Sequence, residues 1–241
     1  MKKAIVIGAS SGLGREVAKL LLADGWTLGI AARRLARLDE VKRLAPERVE
    51  TQAIDVTTNG ATEALEQLIE KTGGMDLFFL ATGVGSQNIE LQPDIELNTM
   101  STNALGFTRM IGAAYRYMAA HGGGHIAAIS SIAGTKGLGA APAYSATKAL
   151  QNTYIQALEQ QAHMRQLNII FTDLRPGFVA TPLLGDNPQY PMLLRPEKVA
   201  REILKAIKAH KHVWVIDWRW RIATALWRRI PRPLWRRLNV K

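Results

Sequence analysis

No cysteine occurs among the 241 residues. That excludes disulfides, thiolate metal sites and a cysteine nucleophile, and it is compatible with a reducing cytosol. No apolar run approaches the roughly 20 residues of a membrane-spanning helix. The opening Met1-Lys2-Lys3-Ala4-Ile5-Val6-Ile7-Gly8 has four apolar residues before a glycine-rich turn, too few for the hydrophobic region of a secretory signal. The chain is therefore expected to be soluble and cytoplasmic, or to lie on a membrane surface. Histidine is scarce, and of the five His210 and His212 are the nearest in sequence. With no carboxylate or cysteine cluster beside them, no metal site is expected. Acids are absent after Asp217, which sets the last residues apart from the rest.

What is present suits a folded domain. The composition is 47% hydrophobic and 21% charged, both ordinary values. A chain of this length can bury roughly 70% of its unfolded surface without a covalent or metal staple. Short apolar runs alternate with amphipathic stretches. Strands are expected at Ala4–Ile7, Thr27–Ala32, Val49–Ile54, Asp76–Leu80, 125–130, 168–174 and 212–216. Helices are expected at 13–23, Leu35–Leu44, Ala61–Glu70, about Pro93 to Ala120, 142–165 and Pro196–His210. This alternation predicts an α/β fold, a doubly wound parallel sheet with helices on both faces. No Gly/Ser- or Pro-rich linker divides residues 1–217, which read as one domain.

The first strand runs into Gly8-Ala9-Ser10-Ser11-Gly12-Leu13-Gly14, which opens the first helix. Glycines let the chain turn sharply and let backbone amides approach an anion. The helix N-terminus adds unpaired N–H groups and partial positive charge, which favour a pyrophosphate. A tight structural turn would read the same way. The second strand ends Ala31-Ala32-Arg33-Arg34. An acid there would bond the adenosine ribose of NAD(H), and none is present. Two guanidiniums suit a phosphate and favour NADP(H) over NAD(H), unless they are only the solvated start of the next helix.

Tyr144-Ser145-Ala146-Thr147-Lys148 puts a phenol and an ammonium on one helical face. A phenol titrates near pH 10, and a nearby cation lowers that value. Such a pair can give or take a proton at a carbonyl or alcohol oxygen. Ser131 lies just beyond the strand ending Ala127-Ala128-Ile129-Ser130, Asn103 falls in the long helical region, and Pro176-Gly177 and Thr181 follow the next strand. The glycine turn, serine, tyrosine and proline thus sit past strand ends, where open parallel sheets bind ligands.

Taken together, Gly8–Gly14, Asn103, Ile129–Gly134, Tyr144–Lys148 and Arg175 through Thr181 resemble the short-chain dehydrogenase/reductase family, over residues 3 to about 217. The resemblance implies a Rossmann-like fold and an NAD(P)-dependent oxidoreductase, commonly a homodimer or homotetramer. By it, Tyr144 is the acid/base and Ser131 bonds the substrate oxygen. Lys148 holds the nicotinamide ribose and lowers the pKa of the phenol, and Asn103 holds a water of the proton relay. It makes Gly8, Ser10, Ser11, Gly12, Leu13, Gly14, Arg33, Arg34, Asp55, Val56, Ala81, Gly83, Tyr144, Lys148, Pro176, Gly177, Val179 and Thr181 cofactor contacts. Ser130 reads as structural. Two positions depart from the family. Ile7 replaces a common threonine, and Leu80-Ala81-Thr82-Gly83 stands where Asn-Asn-Ala-Gly is usual. The segment from about 181 to 195 covers the pocket in that family, and here Leu183, Leu184, Tyr190, Met192 and Leu193 imply a small, apolar substrate. A non-catalytic, dinucleotide-binding regulator on the same fold is the alternative.

Residues 218–241 carry eight basic residues and no acid, whereas 1–217 carry a net +3; five of six tryptophans fall after residue 213. Ile222, Ala223, Leu226, Trp227 and Ile230 are expected on one helical arc, with Arg221 and Arg228 pointing away and Pro231 and Pro233 ending the helix. Such a basic, amphipathic tail fits three partners: an anionic membrane interface, the body or another subunit, and, least favoured, nucleic acid.

Overall fold

The computed structural model describes residues 1–185 and 190–240. Seven strands form one sheet in the order β3-β2-β1-β4-β5-β6-β7, and every pairing is parallel. The strands are β1 Lys3–Ile7, β2 Thr27–Ala32, β3 Val49–Ala53, β4 Leu77–Leu80, β5 Gly124–Ile129, β6 Ile169–Arg175 and β7 Val213–Val215. The apolar runs of β1, β2 and β4 are continuous because the middle of the sheet is covered on both faces. Ala4 and Val6 enter one core with Leu77 and Phe79; Ile5 and Ile7 enter the other with Phe78 and Leu80. Helices α1 Gly12–Ala23 and α7 Pro196–Lys208 cover the first face; α3 Ala61–Thr72, α5 Phe107–Ala120 and α6 Pro142–Met164 cover the second.

Chain order reverses between β1 and β4, so the loops after these strands diverge to either side and open a crevice at their carboxyl ends. Two expected helices differ in detail. In place of a helix over Leu35–Leu44 there is a 3₁₀ turn at Leu35–Arg37 and a single turn, α2 Asp39–Lys42. Only Leu38 and Val41 of this stretch are anchored in the core. The long helix expected from Pro93 to Ala120 is α4 Pro93–Met100 and α5 joined by a π-helical turn, Ser101–Gly106. Such wide turns are commonly kept for function.

The tail departs furthest from expectation. Helix α8 spans Trp218–Trp227 and is followed by one turn, α9 Arg232–Trp235. The helix begins four residues before Ile222 because the Asp217 carboxylate accepts the Arg219 N–H at 3.0 Å and caps it. The expected apolar arc is split. Ala223 and Trp227 turn toward the body beside Trp220 and Thr224, while Ile222 and Leu226 point outward, 53% and 63% exposed.

Candidate active site

The crevice is one cavity of about 1010 Å³. One end is the turn after β1. There a side chain at Gly14 would place its Cβ 2.2 Å from the Gly8 carbonyl oxygen, so only glycine lets the helix start so close to the strand. Among the described residues no side chain caps the first amides of α1, and its first turn has no acid, leaving donors and partial positive charge for an anion. Arg33 and Arg34 leave the end of β2 exposed, and neither enters an ion pair among the described residues. Asp55, after β3, accepts the Thr57 N–H at 3.0 Å and its hydroxyl at 2.7 Å. These bonds, helped by nearby Arg33, hold its carboxyl below the usual carboxylate range.

The other end carries the acid/base candidates. Pro142 starts α6, placing Tyr144 in its first turn and Lys148 one turn on, buried, with Nζ 5.6 Å from the phenol ring centroid. Ser131 follows β5, and its hydroxyl oxygen accepts the Ala133 N–H at 3.1 Å, capping the 3₁₀ turn Ile132–Thr135. Burial raises the Tyr144 phenol, and a hydrogen bond with Ser131 pulls it back in part. Burial also pushes Lys148 down to about 8, against the attraction of Asp173. A buried phenolate therefore needs the Lys148 charge, and that charge is itself marginal above neutrality.

All the cofactor contacts expected from sequence line this cavity, and so does Ser131. Asn103 does not. It sits behind the wall, fully buried in the π-helical turn, where its side chain accepts the Val84 N–H at 2.9 Å and donates to the Val84 carbonyl at 2.6 Å. Its own carbonyl accepts Gln151 Nε2 at 2.8 Å, and Gln151 Oε1 accepts Lys148 Nζ at 3.0 Å. The amide orientation is fixed by chemistry, because an ammonium only donates and a carbonyl only accepts. An amide side chain thus bridges the lysine and the asparagine main-chain carbonyl. Sequence reasoning missed Gln151; its place seven residues after Tyr144, two helical turns along the same face, was the available signal.

Ser130 bonds Asp173, which also pairs with Arg175 at 2.6 Å. This buried cluster ties the end of β5 to β6 beside the cavity, which Ser130 also lines. Of the expected substrate segment, residues 186–189 lie outside the described residues. Its flanks are closed by a short parallel bridge between Val179 and Leu194. Phe178 stacks on Tyr190 at 4.5 Å and meets Trp220 edge-on at 5.6 Å. Trp220, Trp227 and Val240 of the tail line the cavity as well. A side chain at Gly177 would come within 2.2 Å of the Trp220 indole, so the tail lies directly on the loop after β6. That end of the cavity is thereby walled by Phe178, Tyr190, Met192, Trp220 and Trp227.

The sequence description of the short chain dehydrogenase family matches residues 2–190. An uncharacterized oxidoreductase of Myxococcus xanthus is 31% identical over 97% of this chain and 94% of its own length. An uncharacterized oxidoreductase of Staphylococcus aureus is 31% identical over 88% of this chain and 93% of its own. Among solved structures, a 3-ketoacyl-(acyl-carrier-protein) reductase from Brucella melitensis complexed with NADH superposes with a TM-score of 0.80 at 24% identity, covering 90% of this chain and 96% of that one. A short-chain dehydrogenase from Sphingobium yanoikuyae in complex with NADPH gives 0.81 at 20% identity, covering 96% and 97%.

Proposed function

The chain belongs to the short-chain dehydrogenase family, and on that premise we propose that it is an NADP(H)-dependent oxidoreductase interconverting a carbonyl and an alcohol on a small, apolar substrate. The observation that carries this reading is the convergence of a phenol, a hydroxyl and an ammonium on one cavity whose far end is an uncapped helix N-terminus flanked by two exposed arginines. When bound, the nicotinamide supplies or takes the hydride. The protein supplies the rest. The glycine turn offers amides to the pyrophosphate, and Arg33 and Arg34 offer charge-assisted donors to the extra phosphate. In the reduction direction the Ser131 hydroxyl donates to the substrate oxygen and the Tyr144 O–H gives it the proton. Lys148, held through Gln151, stabilises the phenolate left behind. Apolar walls, two of them tryptophans from the tail, exclude water and favour an apolar substrate.

NADPH oxidation with a panel of aldehydes, ketones and quinones tests the activity. Tyr144→Phe is expected to lower turnover about a thousandfold while the Kd for NADPH stays nearly unchanged. Calorimetry is expected to give NADPH at least about tenfold tighter binding than NADH, the worth of one charge-assisted contact, with Arg33→Asp weakening NADPH most. Equal dissociation constants would remove the NADP(H) preference. Turnover surviving in Tyr144→Phe would remove its role. Tight NADPH binding with no turnover across the panel would favour the regulatory alternative.

A further inference from the structure

We propose that the outer face of α8 and the chain after it, from Trp218 to Leu238, is a docking surface for an anionic lipid bilayer. The proposal does not depend on the catalytic reading. Helix α8 is two-faced. Trp220, Ala223, Thr224 and Trp227 turn to the body, and the opposite line, Trp218, Ile222 and Leu226, is 65%, 53% and 63% exposed. In the chain after it, Leu234 and Leu238 are also bare, at 55% and 50%. Large apolar side chains gathered in water mark a surface that something covers.

The charge around them selects the cover. No acid follows Asp217. Arg219 is paired with Asp217, but Arg221, Arg228, Arg229, Arg232, Arg236 and Arg237 enter no ion pair among the described residues. A second copy meeting this face about a two-fold axis would set the same arginines against themselves, which costs rather than binds. Nucleic acid would use the tryptophans for stacking, but most are committed elsewhere. Trp220 is buried, Trp227 Nε1 donates to Thr135 Oγ1 at 2.6 Å and Trp235 Nε1 donates to the Gly137 carbonyl at 2.8 Å. What remains outside is mainly aliphatic, with one tryptophan at its edge. Ile222, Leu226, Leu234 and Leu238 offer nothing to a nucleic-acid phosphate, but they suit the acyl boundary of a bilayer while arginines meet lipid phosphates. No described helix is long and apolar enough to cross a membrane, so the mode is attachment to the surface.

Co-sedimentation of the full chain with phosphatidylcholine vesicles, with and without phosphatidylserine, tests the proposal. The chain is expected to pellet with phosphatidylserine vesicles at low salt, to be released as salt rises and to ignore phosphatidylcholine alone. Ile222→Ser with Leu226→Ser touches only bare side chains. It should cut partitioning at least about tenfold while leaving the melting temperature and NADPH binding unchanged. If that pair disturbs folding, Arg228→Glu with Arg229→Glu should produce the same loss by charge reversal. The proposal is overturned if the wild type stays in the supernatant at low salt, or if both pairs pellet like the wild type. It is equally overturned if light scattering shows the serine pair dissociating a larger wild-type assembly, or if an oligonucleotide binds and the serine pair loses it.

Discussion

Residues 1–217 and 218–241 use the same apolar vocabulary under different rules. In the central strands of the sheet, an apolar residue is a buried residue. β1, β2 and β4 are buried nearly throughout because both faces are covered, and the surrounding charge is almost balanced at a net +3. In the tail, Trp218 is 65% exposed and Trp220, two residues on, is 3% exposed. The basic residues around them have no acid within the segment. The body is held by pattern, with the central strands sandwiched. The tail is held by a few large anchors, with indoles lying on Phe178, Gly177 and the turn after Ser131. The consequence is that tail residues help to build the cavity, and composition alone could not have assigned them to it.

If that contrast is right, removing one anchor should hurt more than removing one layer of ordinary contacts. Trp220→Ala takes away a buried indole from the junction of α8, the loop after β6 and the first core. About 3–5 kcal/mol of stability should be lost, read as a lower midpoint in urea, and the substrate KM should rise more than the Kd for NADPH. A loss below about 1 kcal/mol would mean that the tail merely rests on the body.

Gln151 probes the body side of the same comparison, where polar rather than aromatic contacts fix geometry. Its Oε1 favours the charged form of Lys148, whose pKa burial holds at about 8. Reduction requires that charge, so kcat/KM is expected to fall as pH rises through about 8. Gln151→Leu removes the acceptor and leaves the Asn103 carbonyl without this donor. The high-pH limb should move to lower pH and the rate should drop about tenfold, in keeping with the loss of one bond to a charged group. Gln151→Glu supplies a negative charge, which should move the limb to higher pH. Both variants keeping the wild-type limb while losing thermal stability would reduce Gln151 to a packing residue.

Most of the fold was readable because its signals are local. Apolar runs at period two or in blocks, glycine at strand ends and helical spacing between them define seven strands and most of the crossover helices, with ends shifted by a residue or two; the stretch Leu35–Leu44 kept only a short turn of helix. The positions lining the crevice were readable for the same reason, since each motif follows a strand end. Three things were not. The Lys148–Gln151–Asn103 bridge depends on a π-helical turn that no residue type announces. The start of the tail helix at Trp218, set by the Asp217 cap, was not assigned from the sequence. Its inward face was misjudged because Ile222, Ala223, Leu226 and Trp227 are all apolar, and only the position of Phe178 and Gly177 decides which of them turn in.

The smallest expected effect isolates one hydrogen bond between the two regions. Trp227 Nε1 donates to Thr135 Oγ1 at 2.6 Å, and that hydroxyl donates to the Ile132 carbonyl at 2.7 Å. Thr135 ends the short turn that Ser131 caps, so this bond braces the turn presenting the candidate catalytic hydroxyl. Trp227→Phe keeps an aromatic ring between Trp220 and Trp235, whose centroids lie 6.4 and 6.1 Å away, and removes the donor. The net cost of one such bond is about 1 kcal/mol, much less than deleting Trp220. Thr135→Val removes the partner, and the double variant should cost less than the two single losses added, because the second change finds no bond left to break. A strictly additive cycle would mean that the indole contributes packing alone. A KM for the carbonyl substrate that rises in Trp227→Phe but not in Trp235→Phe, whose N–H bonds Gly137 instead, would tie the tail to the placement of Ser131.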